Sequence, residues 1–211
     1  MPFPDQLDFD NEVANDPFFI EFKQRIGYDE AIRQEAQDGL ILIDFRRIPQ
    51  PPFMVDWPYI KSSTGDPWSY RELRLKADLV CYHLSWGAEG SAGGASIEVN
   101  VYDNYEDVRR DFFRNAASTS MLRIPFEKCP KEIGTVCVMD SIYPDLKSPP
   151  KTRLFFFYKN IFVLIDRASS DAIAEKIGEW MFKVLKAFPR SPMDAPFKPQ
   201  EPPFPFRIET P

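Results

Sequence analysis

Histidine, glycine and cysteine are scarce in this chain, with one, nine and three copies among 211 residues. A lone imidazole, His83, excludes zinc centres built on several histidines and relays of histidines. The cysteines, Cys81, Cys129 and Cys137, are odd in number and lack framework spacing, so free thiols in a reducing compartment are expected. With His83 they total a Cys₃His set, but Cys81-x-His83 plus two distant cysteines matches no zinc knuckle, and no metal or cofactor is expected. Glycine gathers in one place, from Gly87 to Gly94. No Lys-Ser/Thr follows it and the next segment has strand character, so it reads as a hairpin loop and not a phosphate cradle. Ser91 is no nucleophile elbow, because Glu89 stands where Gly-x-Ser-x-Gly needs glycine.

Long apolar runs and basic stripes are missing too. The longest apolar stretch, Leu154 to Ile165, is interrupted by Lys159-Asn160 and is too short to span a bilayer. Met1 to Gln6 carry neither a positive region nor an apolar one, which reads as no secretory leader and a cytoplasmic location. Net charge is 26 − 32 = −6, and residues 1–44 hold eleven acids against three bases, leaving the remainder at +2. Such an acidic lobe repels phosphate, so neither nucleic acid nor an anionic membrane is an expected partner. The run Asp8 to Glu12 lacks the glycine and terminal glutamate of a calcium loop and reads as solvated.

Proline and phenylalanine are what the chain has in excess, with 21 and 19 copies. Five prolines fall in 48–68 and eight in 189–211, both interleaved with aromatics. Nothing regular survives that proline density, so these read as an extended arm and a proline-rich C-terminal tail. Spacings such as Pro49–Pro52 and Pro199–Pro202 fit a polyproline ridge, but Phe53, Phe197, Phe204 and Phe206 would be costly in water. Straps packed on the body or on a neighbour are therefore expected. The organisation that follows is an acidic helical segment with a strand (1–47), the arm (48–68), a core (69–188) and the tail (189–211), compact overall as one domain.

Capping and periodicity place the regular elements. Asp16 as cap, Pro17 at the first helical position, Phe19, Phe22 and Ile26 in period, and Gly27 as stop predict a helix. A second short helix over 29–38 ends at Gly39, and Leu40 to Phe45 reads as a buried strand. Leu73, Leu75, Ala77 and Leu79 alternate with polar residues, and from Val80 the parity reverses, which a β-bulge near Leu79–Val80 would produce. Ile97, Val99 and Val101 form the next strand. Asp103 and Glu106 make a capping-box-like start for a helix presenting Tyr105, Val108, Phe112 and Ala116. Thr135–Met139, then a hairpin of Leu154–Tyr158 and Ile161–Asp166, lead to a last helix capped by Ser169 or Ser170, with Gly178 marking close packing. The class is α+β: an antiparallel sheet covered on one face by amphipathic helices, with a strands-then-helix order that occurs twice.

One constellation carries chemistry. Pairing Val80, Tyr82 and Leu84 with Val101, Val99 and Ile97 gives one consistent apolar face, and a one-residue slip would scramble it. That register sets Cys81 opposite Asn100, His83 opposite Glu98 and Ser85 opposite Ser96. His83 beside Glu98 is an acid–base pair in the making, the carboxylate raising the imidazole pKa and choosing its tautomer. Tyr82, Trp86, Asn100 and Tyr102 are the candidate ligand-binding residues around it. An ordinary cross-strand pair on a half-solvated face is the plainer reading.

Two functions follow from this inventory. With no complete catalytic motif, an acidic lobe and two sticky straps, the chain reads as a non-enzymatic protein-interaction module, self-associating or of the inhibitor or immunity type that blocks a basic target. The alternative is a small-molecule-binding protein or a cofactor-free isomerase, lyase or cyclase, with an aromatic cavity between sheet and last helix served by His83 and Glu98.

Overall fold

The computed structural model describes residues 15–37, 39, 41–44, 47–48, 69–76, 79–85, 95–120, 126–142 and 149–192. Helix α1 (Pro17–Ile26) begins where Asp16 accepts the Phe18 N–H at 2.8 Å and ends at Gly27, whose φ of 70° lets its N–H turn back onto Gln24 and Lys23 carbonyls. Its buried stripe is Phe19, Phe22 and Ile26. Helix α2 (Tyr28–Gln37) follows at once, and β1 (Ile41–Ile43) comes after Gly39.

A seven-stranded antiparallel sheet forms the body of the described residues, in the order β2-β3-β4-β8-β7-β6-β5. Its first meander is β2 (Ser69–Lys76), β3 (Leu79–Ser85) and β4 (Ser96–Val101). Its second is β5 (Glu127–Lys128), β6 (Val136–Ile142), β7 (Lys151–Tyr158) and β8 (Ile161–Ala168), and β4 pairs with β8 at the seam. The expected bulge at Leu79–Val80 is a chain reversal instead: Lys76 pairs with Leu79 across two residues, and Leu75 with Val80. Pairing Lys76 with Leu79 reverses parity just as a bulge does, and the sequence between them, Ala77-Asp78, lacks the Asn-Gly or Asp-Gly that marks a tight reversal. The irregularity lies instead in β2, between Tyr70 and Glu72.

The α+β class and antiparallel sheet stand, but the helices divide between both faces where a single covered face was expected. On one face α4 (Asp171–Ala187), capped by Ser170, lays Ala174, Ile177, Met181 and Leu185 over Ile97, Val99, Leu154, Phe156, Val163 and Ile165. On the other, α1, α2 and α3 (Tyr105–Ser120) bury Phe22, Tyr28, Val108 and Phe112 against Val138, Phe155, Phe157 and Phe162. The central strands require this, because Leu154 to Phe157 is a continuous apolar run and no alternation leaves a wet side. The rings pack edge to face, Phe126 on Phe155 at 4.9 Å and Phe112 on Phe157 at 5.2 Å. Each such buried ring contributes about 1.5–3 kcal/mol. Strands-then-helix does occur twice in the chain order. With α3 and α4 on opposite faces, no two-fold axis through the β4–β8 seam superposes the halves. At Gly178 a Cβ would stand 3.1 Å from Ile133 and 3.3 Å from Leu154, the close helix–sheet approach expected there.

A second, two-stranded ribbon pairs β1 with β9 (Arg190–Pro192), the residues after α4. Asp44 N–H bonds Pro189 O at 2.9 Å and the Ser191 hydroxyl donates to Asp44 Oδ2 at 2.8 Å. The ribbon is fixed to the main sheet by Asn160 of the β7–β8 turn. Its amide donates to the carbonyls of Ile43 and Tyr102 and accepts the Ile43 N–H, so it meets both polar groups of Ile43 as a neighbouring strand would. The arm and the rest of the tail, 49–68 and 193–211, lie outside the described residues.

Candidate functional site

Strand alternation builds the candidate site on β4. Ile97, Val99 and Val101 turn toward α4, so Glu98 and Asn100 face the opposite layer, where α3 lies. Helix α3 starts one residue later than the capping-box pattern suggested. Asn104 is the cap, its Oδ1 accepting Asp107 N–H at 2.8 Å while its amide donates to Asp107 Oδ2 at 2.7 Å. Asn is as good a cap as Asp, and the residue three on is Asp107, so the reciprocal pair shifts by one. From there the helical period carries Tyr105, Val108, Phe112 and Ala116 inward, as expected, and brings Asp111 over β4.

Asp111 gathers the polar groups of two elements. Its Oδ2 accepts the Tyr102 hydroxyl at 2.5 Å and the Asn100 amide at 3.2 Å, and its Oδ1 accepts the Asn115 amide at 3.2 Å. The same Asn100 amide also donates to Glu98 Oε1 at 3.0 Å. Burial raises the Asp111 carboxyl above the ordinary range, opposed by the bonds from Tyr102 and Asn100. Burial likewise raises the Tyr102 phenol, and the neighbouring Asp111 charge adds to it. Asn100 is 5% exposed, and its Oδ1 has no partner. Chemically this is a carboxyl with a phenol and an amide on it and one spare acceptor beside it.

The sequence candidates divide between faces. His83 pairs with Glu98, Cys81 with Asn100 and Ser85 with Ser96, the register that alternation demands. Glu98, Asn100 and Tyr102 come together through Asp111 and Asn100. Tyr82 does not join them: it is opposite Val99 and buried in the core under α4, with the sheet between it and Glu98. A cavity between sheet and last helix served by Glu98 is ruled out for the same reason, since successive residues of a strand face opposite ways. The His83 side chain and the whole of Trp86 lie outside the described residues. Asp111 was missed because it is flanked by apolar positions of a helix whose layer was unknown; its only sequence signal is the period of Tyr105, Val108 and Phe112.

A second buried polar group went unread. Glu35 of α2, 6% exposed, accepts the Thr135 hydroxyl at 2.8 Å and the Lys159 N–H at 3.2 Å, with Lys159 Nζ at 3.9 Å. Its Oε2 has no partner. Helical spacing after Tyr28 and Ile32 puts Glu35 on the inward stripe, a charge where an apolar residue belongs, and that was the available signal. Lys159 holds φ at 55°, a left-handed value kept by the turn and by this carboxylate.

No family model, curated protein or solved structure matches this chain. Among the described residues no group of three or more His, Cys, Asp or Glu is placed to hold a metal ion, and no helix is long and apolar enough to cross a membrane.

Proposed function

We propose that this chain is a non-enzymatic cytoplasmic protein-interaction module that grips a partner, or a second copy of itself, with its two proline- and aromatic-rich segments. The observation behind the reading is the β1–β9 ribbon. Segment 49–68 follows Ile48, which is buried, and Asp44 is bonded to Pro189 and Ser191. Segment 193–211 follows Pro192, which is opposite Ile41. The two segments are thus attached at opposite ends of one fixed, three-residue ribbon, and two weak contacts tethered to one body can act together on one ligand. The carboxyl between α3 and β4 supports the same view, since Asp111 accepts from Tyr102, Asn100 and Asn115 and so holds the helix to the strand. Exposed Asp16, Glu21, Asp29 and Glu30 suit a basic target. The test compares the full chain with one ending at Pro192, by light scattering across concentration and by co-purification from the source cell. Self-association or a captured protein that disappears on truncation is expected. The same oligomeric state and identical captured proteins for both chains would refute it.

One observation favours a second reading, the unpartnered Asn100 Oδ1 beside a carboxyl held above its usual range. On that reading the Glu98–Asn100–Tyr102 face binds a small molecule or serves a cofactor-free isomerase, lyase or cyclase. A thermal-shift metabolite screen decides it: a compound must raise the melting temperature of the native protein and fail to do so for Asn100→Leu.

A further inference from the structure

We propose that Cys129 and Cys137 form a reversible redox pair that closes to a disulfide within the native fold. The strand register sets them face to face: β5 ends with Lys128 opposite Val138, so the next residue, Cys129, falls opposite Cys137. The backbone confirms the alignment, with Cys129 N–H on Cys137 O at 3.0 Å. Both side chains enter the same core, beneath α4. Directly opposed residues of antiparallel strands have Cα atoms about 4.5–5.5 Å apart, inside the roughly 4.4–6.8 Å that a disulfide bridges. Because β5 is two residues long and Pro130 follows, the small approach that closure needs falls on a strand end and not on the middle of the sheet.

The two thiols are also unequal in a useful way. The Cys137 S–H donates to Cys129 Sγ and the Lys131 N–H donates to the same sulfur, which lowers the Cys129 thiol below its ordinary value although burial opposes it. Cys137 is pushed well above, by burial first and by its donation to Cys129 second. Cys129 is therefore the nucleophile and Cys137 the resolving thiol. Cys81 cannot compete. It sits on β3, four strands from β6 and roughly 19 Å away at about 4.8 Å per strand, and it pairs opposite Asn100.

The oxidant is a hydroperoxide, small enough to reach thiols that are 3% and 6% exposed through opening of the short edge strand. Cys129 thiolate attacks one peroxide oxygen, the O–O bond breaks, and hydroxide leaves to take up a proton, giving the sulfenic acid. The Cys137 sulfur then attacks Cys129 Sγ and releases its proton, the S–O bond breaks, and water departs. Two thiols and one hydrogen peroxide give one disulfide and two waters, with two electrons passing from sulfur to oxygen.

The test treats the reduced, folded full chain with hydrogen peroxide, then counts alkylatable thiols and maps linked peptides by mass spectrometry. The count should fall from three to one, leaving Cys81, with a 129–137 cross-link, and a dithiol reductant should restore all three. Cys137→Ser should trap a sulfenic acid at Cys129, captured by a dimedone probe, whereas Cys129→Ser should give none at Cys137. Circular dichroism identifies a variant that has lost its fold, in which case the native-chain map alone decides. A link through Cys81, over-oxidation without a link, or a link formed only in urea would overturn the proposal.

Discussion

Replacing Asn160 by alanine should cost more stability than any other single polar truncation in the β7–β8 turn. Asn160 is wholly buried, and its amide makes three hydrogen bonds: to Ile43 O at 3.2 Å, to Tyr102 O at 2.8 Å, and from Ile43 N–H at 2.8 Å. Truncation leaves a donor and two acceptors in a dry place, since Ile43 is itself fully buried. At about 1 kcal/mol of net stability per hydrogen bond the loss is about 3 kcal/mol, a fall in Tm of roughly 6–12 °C for a chain this size. Urea titration should show the midpoint falling with the slope unchanged, and amide exchange should show the Ile43 N–H losing protection while the centre of β7 keeps it. Asn160→Asp retains the acceptor but loses both donations and buries a charge, so it should be no better than alanine. A loss below about 1 kcal/mol, or an Ile43 amide as protected as before, would refute the view that this side chain ties the ribbon to the sheet.

Two further substitutions test other joints. Gly134 holds φ at 68°, and a Cβ there would stand 2.6 Å from both Phe156 Cδ2 and Phe157 O, so Gly134→Ala should destabilise by about 2–4 kcal/mol in the same titration. A loss no larger than an exposed turn glycine shows would contradict that packing. The raised carboxyls of Asp111 and Asp166 bind protons more tightly folded than unfolded. Their contribution is therefore full below the unfolded carboxylate pKa and is lost as pH rises through the folded value. Asp111→Asn should flatten that part of the stability–pH curve, measured by urea midpoints across acidic to neutral pH, and an unchanged slope would sink the assignment.

Local chemistry made some of this fold legible. Asp16, Pro17 and Gly27 delimit α1 because caps and stops act within a few residues of themselves. The β3–β4 register could be read because only one pairing keeps Val80, Tyr82 and Leu84 on the same side as Val101, Val99 and Ile97. The layer to which each helix belongs is a long-range property, and it failed. Its one local trace was the uninterrupted Leu154 to Phe157, which has no polar phase and so needs cover on both sides. Glu98 and Asn100 therefore occupy the expected strand positions but lie under α3 and not under the last helix, and the sheet separates Tyr82 from them. Lys159-Asn160 has the composition of an exposed turn, yet both residues are buried, because Glu35 and Ile43, more than a hundred positions away, supply their partners.

The acidic lobe changes meaning once its described members are placed. Glu35 and Asp44 are buried and bonded, one to Thr135 and the Lys159 turn, the other to Ser191, so they fasten the lobe to the body. Asp16, Glu21, Asp29 and Glu30 are exposed, and they carry the field that a basic partner would meet. On the interaction reading, anchoring and attraction therefore fall to different acids within one short stretch of chain. On that reading the anchors matter, because effective concentration depends on where the binding segments are attached. A strap rooted on a ribbon that frays would sweep a large volume and add little to its twin. Asp44, Ser191 and Asn160 hold that ribbon on both sides, β9 on one and the β7–β8 turn on the other. On the interaction reading, Asn160→Ala should then weaken partner capture without altering a single residue of either strap.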